Sequence, residues 1–201
     1  MQVFIAVTNA LSFNLMNEPP AYVTDEQYSV LMKKTIDLVH KIDADRLIVV
    51  DMLNYAEKPV YGLVGEEIVQ ALHVYEPRVF CDAGRNGNAP ASYPDDAVAL
   101  MEPLFKRASD FSKETGTTVM PEEFGDDGFS NVKETVKYLD DILGLAEKYN
   151  MPWCHFAFYT SDYSYVSDSY RNRRPGGTYV KIGSGRYVAK EIRQVFQKHM
   201  K

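Results

Sequence analysis

Cysteine, tryptophan and long apolar runs are all scarce in this chain of 201 residues. The two cysteines, Cys81 and Cys154, form no CxxC pair and no Cys/His spacing, so we expect neither a disulfide framework nor a metal centre. No apolar run approaches the roughly 20 residues that a membrane-spanning helix needs. The first seven residues lack a basic segment and a long apolar core, so we expect an internal piece of structure there and no secretory signal. These features assign no cellular compartment.

A deficit of basic residues leaves the chain with a formal net charge of −6. This charge argues against a nucleic acid or an anionic membrane as the partner. Hydrophobic residues make up 45% and charged residues 25%, which is ordinary for a globular protein, and the length predicts one domain over residues 1–201. Aromatic residues, at 12%, are frequent, so flat side chains are available for a ligand.

Short apolar runs alternate with segments of helical periodicity, an order that is typical of α/β proteins. Five strands are predicted, at residues 11–16, 47–52, 71–75, 117–120 and 153–159. Helices are predicted at about residues 25–41, 95–111 and 131–148, and a closing helix carries Val188, Ile192, Val195 and Phe196. Thr24 and Gln27 predict a capping box for the first helix, and Pro103 predicts a kink or break in the second.

Acidic residues directly follow two of the predicted strands. Asn17 and Glu18 come after the first strand, and Glu122 and Glu123 come after the fourth. In a (β/α) barrel such strand ends form the catalytic face. Because side chains alternate along a strand, only one of the two adjacent glutamates is expected to face the barrel mouth. Taken alone, Glu18 fits a solvated turn equally well, and an acidic loop is the alternative for the later pair.

A histidine and a tyrosine mark the end of the third predicted strand. His73 and Tyr75 are two residues apart and therefore project to the same side of that strand. A lone histidine is more often structural, but a pair at a strand end favours a site that hydrogen-bonds a neighbouring carboxylate and keeps it ionised. Retaining hydrolysis of glycosides needs two carboxyl groups about 5–5.5 Å apart, one protonated and one ionised. Glu18 and Glu123 are candidates for such a pair.

Three motifs, in this order, resemble those of glycoside hydrolase family 5, the cellulase-type enzymes built on a (β/α)8 barrel. They are Asn17-Glu18-Pro19 after the first predicted strand, His73-Val74-Tyr75 followed by Pro77 and Phe80, and Glu123-Phe124-Gly125. The resemblance implies that Glu18 is the acid/base and that Glu123, not Glu122, is the nucleophile. It also implies substrate binding by Asn17, His73 and Tyr75.

The resemblance covers nearly the whole chain but only strands 4 to 8 of the family's barrel. The implied fold is α/β, a partial (β/α) barrel of about five parallel strands that lacks the first three βα units. The implied activity is retaining hydrolysis of a β-glucan-type polysaccharide or oligosaccharide, without a cofactor or a metal. Trp153 lies at the wrong end of its strand to replace the family's strand-8 tryptophan, so Phe156, Phe158 or Tyr159 is expected there, with Phe158 and Tyr159 as substrate-binding residues.

A half barrel would expose unpaired strand edges and an apolar interior. We therefore expect a homodimer or higher oligomer, with exchange of elements between copies as one route to it. The alternative is a catalytically impaired fragment that binds carbohydrate or has only a structural role. The segment 160–180 carries several tyrosines and arginines, among them Tyr165 and Arg174, and is expected to border the sugar cleft or to form an oligomer contact.

Overall fold

The computed structural model describes residues 11–83, 92–126, 130–157, 165–167, 174–182 and 185–200. Its strands are β1 (Phe13–Asn14), β2 (Ile48–Asp51), β3 (Ile68–Val74), β4 (Thr118–Phe124), β5 (Val166–Ser167), β6 (Tyr179–Ile182) and β7 (Arg186–Ala189). Its helices are α1 (Asp25–Ile42), α2 (Leu53–Ala56), α3 (Arg78–Cys81), α4 (Ala97–Thr115), α5 (Val132–Lys148) and α6 (Lys190–His199), with a 3₁₀ turn at Tyr61–Leu63.

Strands β1 to β4 form one sheet in the order of the sequence. β1 pairs with β2 and β2 with β3 in parallel, so that Phe13 lies opposite Ile48 and Ile48 lies opposite Ile68. Helices connect these strands, which is the arrangement of a (β/α) barrel. Within the described residues the sheet remains open. The predicted fold class, an α/β protein with part of a barrel, is confirmed.

The fifth predicted strand differs from the prediction. No strand is assigned over residues 153–157, the described part of that segment. One backbone hydrogen bond, from the Cys154 N–H to the Pro121 carbonyl at 2.9 Å, ties it to β4. Because Pro121 has no N–H, it cannot donate the second backbone hydrogen bond that a regular β-ladder would need at this position.

β3 begins three residues earlier than the sequence predicted. The prediction started at Ala71, whereas the strand begins at Ile68 and includes the polar Gln70. Gln70 is nevertheless fully buried, since its side-chain amide accepts the Val60 N–H and donates to the Val60 carbonyl, both at 2.9 Å. Satisfying both ends of the amide lets a polar residue lie inside the sheet.

The three long helices lie close to their predicted positions. The capping box of α1 is present, with the Thr24 hydroxyl accepting the Gln27 N–H at 3.2 Å. Asn131 caps α5 in the same way. The predicted kink or break at Pro103 is not a break, because α4 runs through this residue from Ala97 to Thr115, and a kink there stays a prediction. In the part of the chain that the structure describes, none of the helices combines the length and apolar composition needed to cross a membrane.

A second sheet near the C-terminus was not predicted. β7 pairs in antiparallel fashion with both β5 and β6, giving the order β5-β7-β6. Val188, predicted on the closing helix, lies in β7, and α6 begins at Lys190. The strands of this sheet have two to four residues, too short for the alternating pattern that reveals a strand in a sequence.

The contacts within the chain divide it into two compact units. Unit 1 consists of Met1–His73 and Arg107–Met120, and unit 2 consists of Val74–Lys106 and Pro121–Lys201. Unit 1 has an apolar core between α1, the 3₁₀ turn and the sheet, formed by Tyr28, Met32, Ile36, Ile48, Val50, Leu53, Val60, Leu63 and Ile68. The buried face of α5 in unit 2 includes Tyr138, Leu139, Ile142, Leu143 and Ala146.

Candidate active site

Glu18, in unit 1, has a constrained backbone and a paired side chain. Its φ angle is +46°, in the left-handed region that residues with a Cβ rarely adopt. Its N–H donates to the Asp51 Oδ2 at 2.7 Å, and its Oε1 lies 3.0 Å from the His73 Nδ1. The side chain is partly exposed, whereas that of His73 is buried. Backbone and carboxyl group are therefore both held by neighbouring polar groups.

Asp51 is the centre of this polar cluster. It ends β2 and is 0% exposed. Besides the Glu18 N–H it accepts the Asn14 Nδ2 at 2.6 Å, and its Oδ2 lies 3.4 Å from the His73 Nε2. The Tyr28 hydroxyl donates to the Asp51 carbonyl at 3.0 Å. Burial and the Asp51 charge raise the pKa of Tyr28, so this phenol remains a neutral donor.

The strand register explains why Asp51 and His73 meet. Asp51 pairs with Ala71 in the parallel sheet, and His73 lies two residues further along β3 on the same side as Ala71. The two side chains are thus diagonal neighbours at the carboxyl ends of adjacent strands, within reach of long side chains. Both ends open onto the same edge of the sheet, where a barrel carries its functional groups.

His73 lies between two carboxyl groups, one at each ring nitrogen. An ionised carboxylate only accepts hydrogen bonds. A bond at Nδ1 therefore requires either a proton on that nitrogen or a proton on the Glu18 carboxyl. The contact suits a carboxyl group that gains and loses a proton, because the imidazole can act as donor or acceptor opposite it.

Glu123, in unit 2, is paired with a tyrosine. The Tyr75 hydroxyl donates to the Glu123 Oε2 at 2.8 Å, and both residues are partly buried. Nearby, the Tyr138 hydroxyl donates to the Val74 carbonyl at 3.3 Å and accepts the Gly125 N–H at 3.1 Å. Burial raises the pKa of Tyr138 well above its usual value, which keeps this phenol protonated between the two chain segments.

A buried ion pair follows directly after β4. Arg174 and Asp126 are 5% and 0% exposed, and the Arg174 Nη1 donates to the Asp126 Oδ2 and, at 2.9 Å, to the Thr135 Oγ1. The Arg174 Nη2 donates to the Asp126 carbonyl at 2.9 Å. The Tyr165 hydroxyl donates to the Asp126 Oδ1 at 2.8 Å, and the guanidinium lies over the Tyr165 ring.

These contacts correct part of the prediction for the segment 160–180. Tyr165 was expected as a flat surface for a sugar, but it is 6% exposed and its hydroxyl is bound to Asp126. Arg174, also expected at the sugar cleft or in an oligomer contact, is bound to Asp126 and Thr135. Both side chains anchor the segment, because a buried arginine needs a carboxylate and a full set of acceptors.

His155 packs against this cluster. Its ring stacks on Tyr165 with centroids 4.8 Å apart and meets the edges of Phe124 and Phe196. Burial lowers the pKa of His155 to about 3, an effect that the nearby Asp126 charge only partly offsets. Within the described residues, its Nε2 has no hydrogen-bond partner. His155 is therefore a neutral ring inside an aromatic cluster at neutral pH.

The structure brings the predicted site residues together in two pairs. Glu18 contacts His73 in unit 1, and Tyr75 contacts Glu123 in unit 2. The sequence predicted that His73 hydrogen-bonds a neighbouring carboxylate but did not predict its contact with Glu18. Asn17 is exposed.

Two of the predicted substrate-binding residues, Phe158 and Tyr159, lie outside the described residues. Sequence reasoning missed Asp51 and Asn14. A signal was present for Asp51, because it is a charge that ends an apolar run inside a predicted strand.

The profile of the family described as Cellulase (glycosyl hydrolase family 5) matches residues 2–162. No curated protein matches the chain. Among solved structures, a glycoside hydrolase is 24% identical with a TM-score of 0.79, over 94% of this chain and 60% of its own. A hyperthermophilic endo-β-1,4-glucanase in complex with substrate is 20% identical with a TM-score of 0.72, over 87% of this chain and 59% of its own.

Cel5A of Thermotoga maritima in complex with mannotriose is 15% identical with a TM-score of 0.68, over 81% of this chain and 56% of its own. At these identities the likeness shows a shared fold. The chain spans 56–60% of the length of these three structures.

Proposed function

The chain belongs to glycoside hydrolase family 5, and we propose that it is a retaining β-glycoside hydrolase acting on a β-glucan-type polysaccharide or oligosaccharide. In this proposal residues 1–201 act as one domain with the fold of part of a (β/α) barrel. Glu18 is the acid/base and Glu123 the nucleophile of a double displacement. The observation that carries the proposal is that each carboxyl group is bound by one residue of the His73-x-Tyr75 motif.

The first step assigns opposite tasks to the two carboxyl groups. The Glu123 carboxylate attacks the anomeric carbon and forms a glycosyl–enzyme ester, while Glu18 donates its proton to the departing glycosidic oxygen. A hydrogen bond from a phenol favours an ionised carboxylate, so the contact with the Tyr75 hydroxyl supports Glu123 as the nucleophile.

In the second step, Glu18 takes a proton from water, and the water oxygen attacks the anomeric carbon and releases Glu123. Glu18 must therefore be protonated in one step and ionised in the next. Its contact with the His73 Nδ1 supports this, since the imidazole can face either form. The reaction requires the two carboxyl groups to stand about 5–5.5 Å apart.

We propose β-1,4-glucan as the first substrate class to consider. One of the similar structures is an endo-β-1,4-glucanase, and another holds mannotriose. Carboxymethyl cellulose, cellotetraose and β-mannan are therefore the first substrates to test, and product lengths distinguish endo from exo action.

The test compares isosteric variants of two adjacent glutamates. We expect Glu123→Gln to lower kcat by about 10³-fold or more, since it removes the nucleophile, and Glu122→Gln to retain most activity. The assignment is wrong if Glu122→Gln is the inactive variant. Proton NMR of the first product should show a retained anomeric configuration, and inversion would rule out the double displacement.

Assembly is a further part of the proposal. Leu31, Leu38 and Ile42 on α1, and Leu11 and Leu47 near β1 and β2, are each about half exposed. β1 is also the terminal strand of the sheet within the described residues. Apolar side chains beside a sheet edge are typical of surfaces covered by another chain. We propose that a second copy covers this surface.

Light scattering at micromolar protein tests the assembly. Leu38→Glu should shift a dimer towards monomer, whereas Val79→Glu, at an exposed site of unit 2, should leave the mass unchanged. A monodisperse wild-type monomer would contradict the proposal.

A second candidate function is carbohydrate binding without hydrolysis. The chain spans 56–60% of the length of the similar structures, and this alternative concerns what the given residues do by themselves. Under this alternative the wild-type chain binds insoluble cellulose but releases no reducing sugar. Glu123→Gln would then leave binding unchanged, and no variant would have activity to lose.

A further inference from the structure

One buried carboxylate of unit 1 has no part in the double displacement described above. Asp51 is fully buried, yet its two oxygens accept the Glu18 N–H at 2.7 Å and the Asn14 Nδ2 at 2.6 Å. Short bonds of this kind to an ionised acceptor are the stronger class of hydrogen bond. A buried charge is costly unless it is paired and hydrogen-bonded, and both oxygens of Asp51 are used in this way.

One of these bonds acts on the backbone of Glu18. Its φ of +46° is unfavourable for any residue with a Cβ, and it persists only where neighbouring groups enforce it. The Asp51 Oδ2 accepts the N–H of this residue and also lies 3.4 Å from the Nε2 of His73, whose Nδ1 contacts the Glu18 carboxyl. Asp51 thus contacts both the main chain of Glu18 and the ring that faces its side chain.

We propose that Asp51 is a positioning residue, which holds the Glu18 backbone in the left-handed conformation and orients His73 against the Glu18 carboxyl. The inference rests on the proposed role of Glu18 as the acid/base. In this role Asp51 orients the Glu18 carboxyl group for proton transfer and does not itself contact the sugar. Misplacing a catalytic group by about 1 Å costs on the order of 10²-fold in rate.

Substrates with different leaving groups distinguish a positioning role of Asp51 from a general loss of structure in the Asp51→Asn variant. A 2,4-dinitrophenyl glycoside needs no proton on its departing oxygen, whereas cellotetraose does. We expect Asp51→Asn to lower kcat on cellotetraose by about 10- to 100-fold and glycosylation by dinitrophenyl cellobioside by less than about threefold. The amide that replaces the carboxylate has one acceptor oxygen and must present a donor to either Asn14 or the Glu18 N–H.

Gln70→Glu is the matched control, because Gln70 is also fully buried in this sheet and bonds only backbone groups of Val60. We expect any loss in this variant to be equal on both substrates. An equal loss in Asp51→Asn would overturn the positioning role. Should Asp51→Asn fail to fold, Asn14→Ala removes a donor to Asp51 from a more exposed site, and the same dependence on the leaving group is expected, with a smaller loss.

A second measurement does not need activity. In the ¹⁵N-labelled chain, the amide of Glu18 should have a downfield proton resonance, because it donates to a carboxylate. Asp51→Asn should shift this resonance upfield, and Asn14→Ala should change its position because it removes the other donor to Asp51. If the wild-type chain hydrolyses neither substrate, the proposed function fails, and this resonance alone decides whether Asp51 holds Glu18. An unchanged Glu18 amide in the variants would overturn the inference.

Discussion

Replacing Arg174 with methionine tests the buried ion pair that anchors the C-terminal segment of unit 2. The guanidinium donates to both the side chain and the main chain of Asp126, and neither residue has more than 5% of its surface exposed. Breaking a buried pair costs about 3–5 kcal/mol, because the remaining charge stays uncompensated. Tyr165 and Thr135 still donate to the Asp126 carboxylate, so we expect the lower end, about 3 kcal/mol.

The assay is urea denaturation followed by fluorescence. The only tryptophan, Trp153, lies in unit 2 against Phe124 and Phe196, and therefore reports on this unit. With an m-value of about 1–3 kcal/mol per molar urea, a loss of 3 kcal/mol lowers the midpoint by about 1–3 M.

The control for this variant is Arg193→Met, which removes an exposed arginine from α6. Substitutions of this kind change stability by about 0.5 kcal/mol or less. The reasoning is refuted if Arg174→Met and Arg193→Met have the same midpoint. A double variant, Arg174→Met with Asp126→Leu, should be more stable than Arg174→Met alone, because it leaves no unpaired charge in the interior.

Two further predictions concern the pH dependence and a helix cap. Because the pKa of His155 is lowered to about 3 in the folded chain, the unfolded chain binds more protons, and stability present at neutral pH is lost as the pH falls from about 7 towards 3. The loss of stability attributable to His155 is about 2 kcal/mol at pH 5. The urea midpoint of His155→Phe should therefore change less between pH 7.5 and pH 5 than that of the wild-type chain. The same change in both chains would contradict the assignment. Thr24→Ala should destabilise by about 1 kcal/mol through loss of the α1 cap. Thr35→Ala, at a partly exposed site within α1, should cost less than about 0.5 kcal/mol. Equal thermal shifts in the two variants would refute the cap.

The elements that could be predicted from the sequence are those whose information is local. The capping box at Thr24 and the apolar stripe of α5 depend on residues three or four apart, so their pattern appears directly in the sequence. The motifs at Glu18, His73-x-Tyr75 and Glu123 each lie within a few residues, and the strand ends that carry them were recognisable for the same reason.

The hydrogen-bond partners depended on the tertiary structure. Asp51 meets Glu18 across 33 residues of sequence, and Arg174 meets Asp126 across 48. No local pattern encodes such a pairing, because it depends on strand register and on where a distant segment packs. For that reason the contact between His73 and Glu18 was not predicted, and Tyr165 was expected to border the sugar cleft rather than to bind Asp126.

The same distinction separates the strands that were predicted from those that were not. The apolar run of β2 is buried at all four residues and was recognised from its composition. β5, β6 and β7 are short, and what stabilises them is pairing with one another and the anchoring of their segment by Arg174. The sequence by itself thus determined the α/β class and the family, and it proposed Glu18 and Glu123 as the candidate carboxylates. Only the tertiary structure decided which polar groups hold them, because each of those bonds joins segments that are remote in the chain.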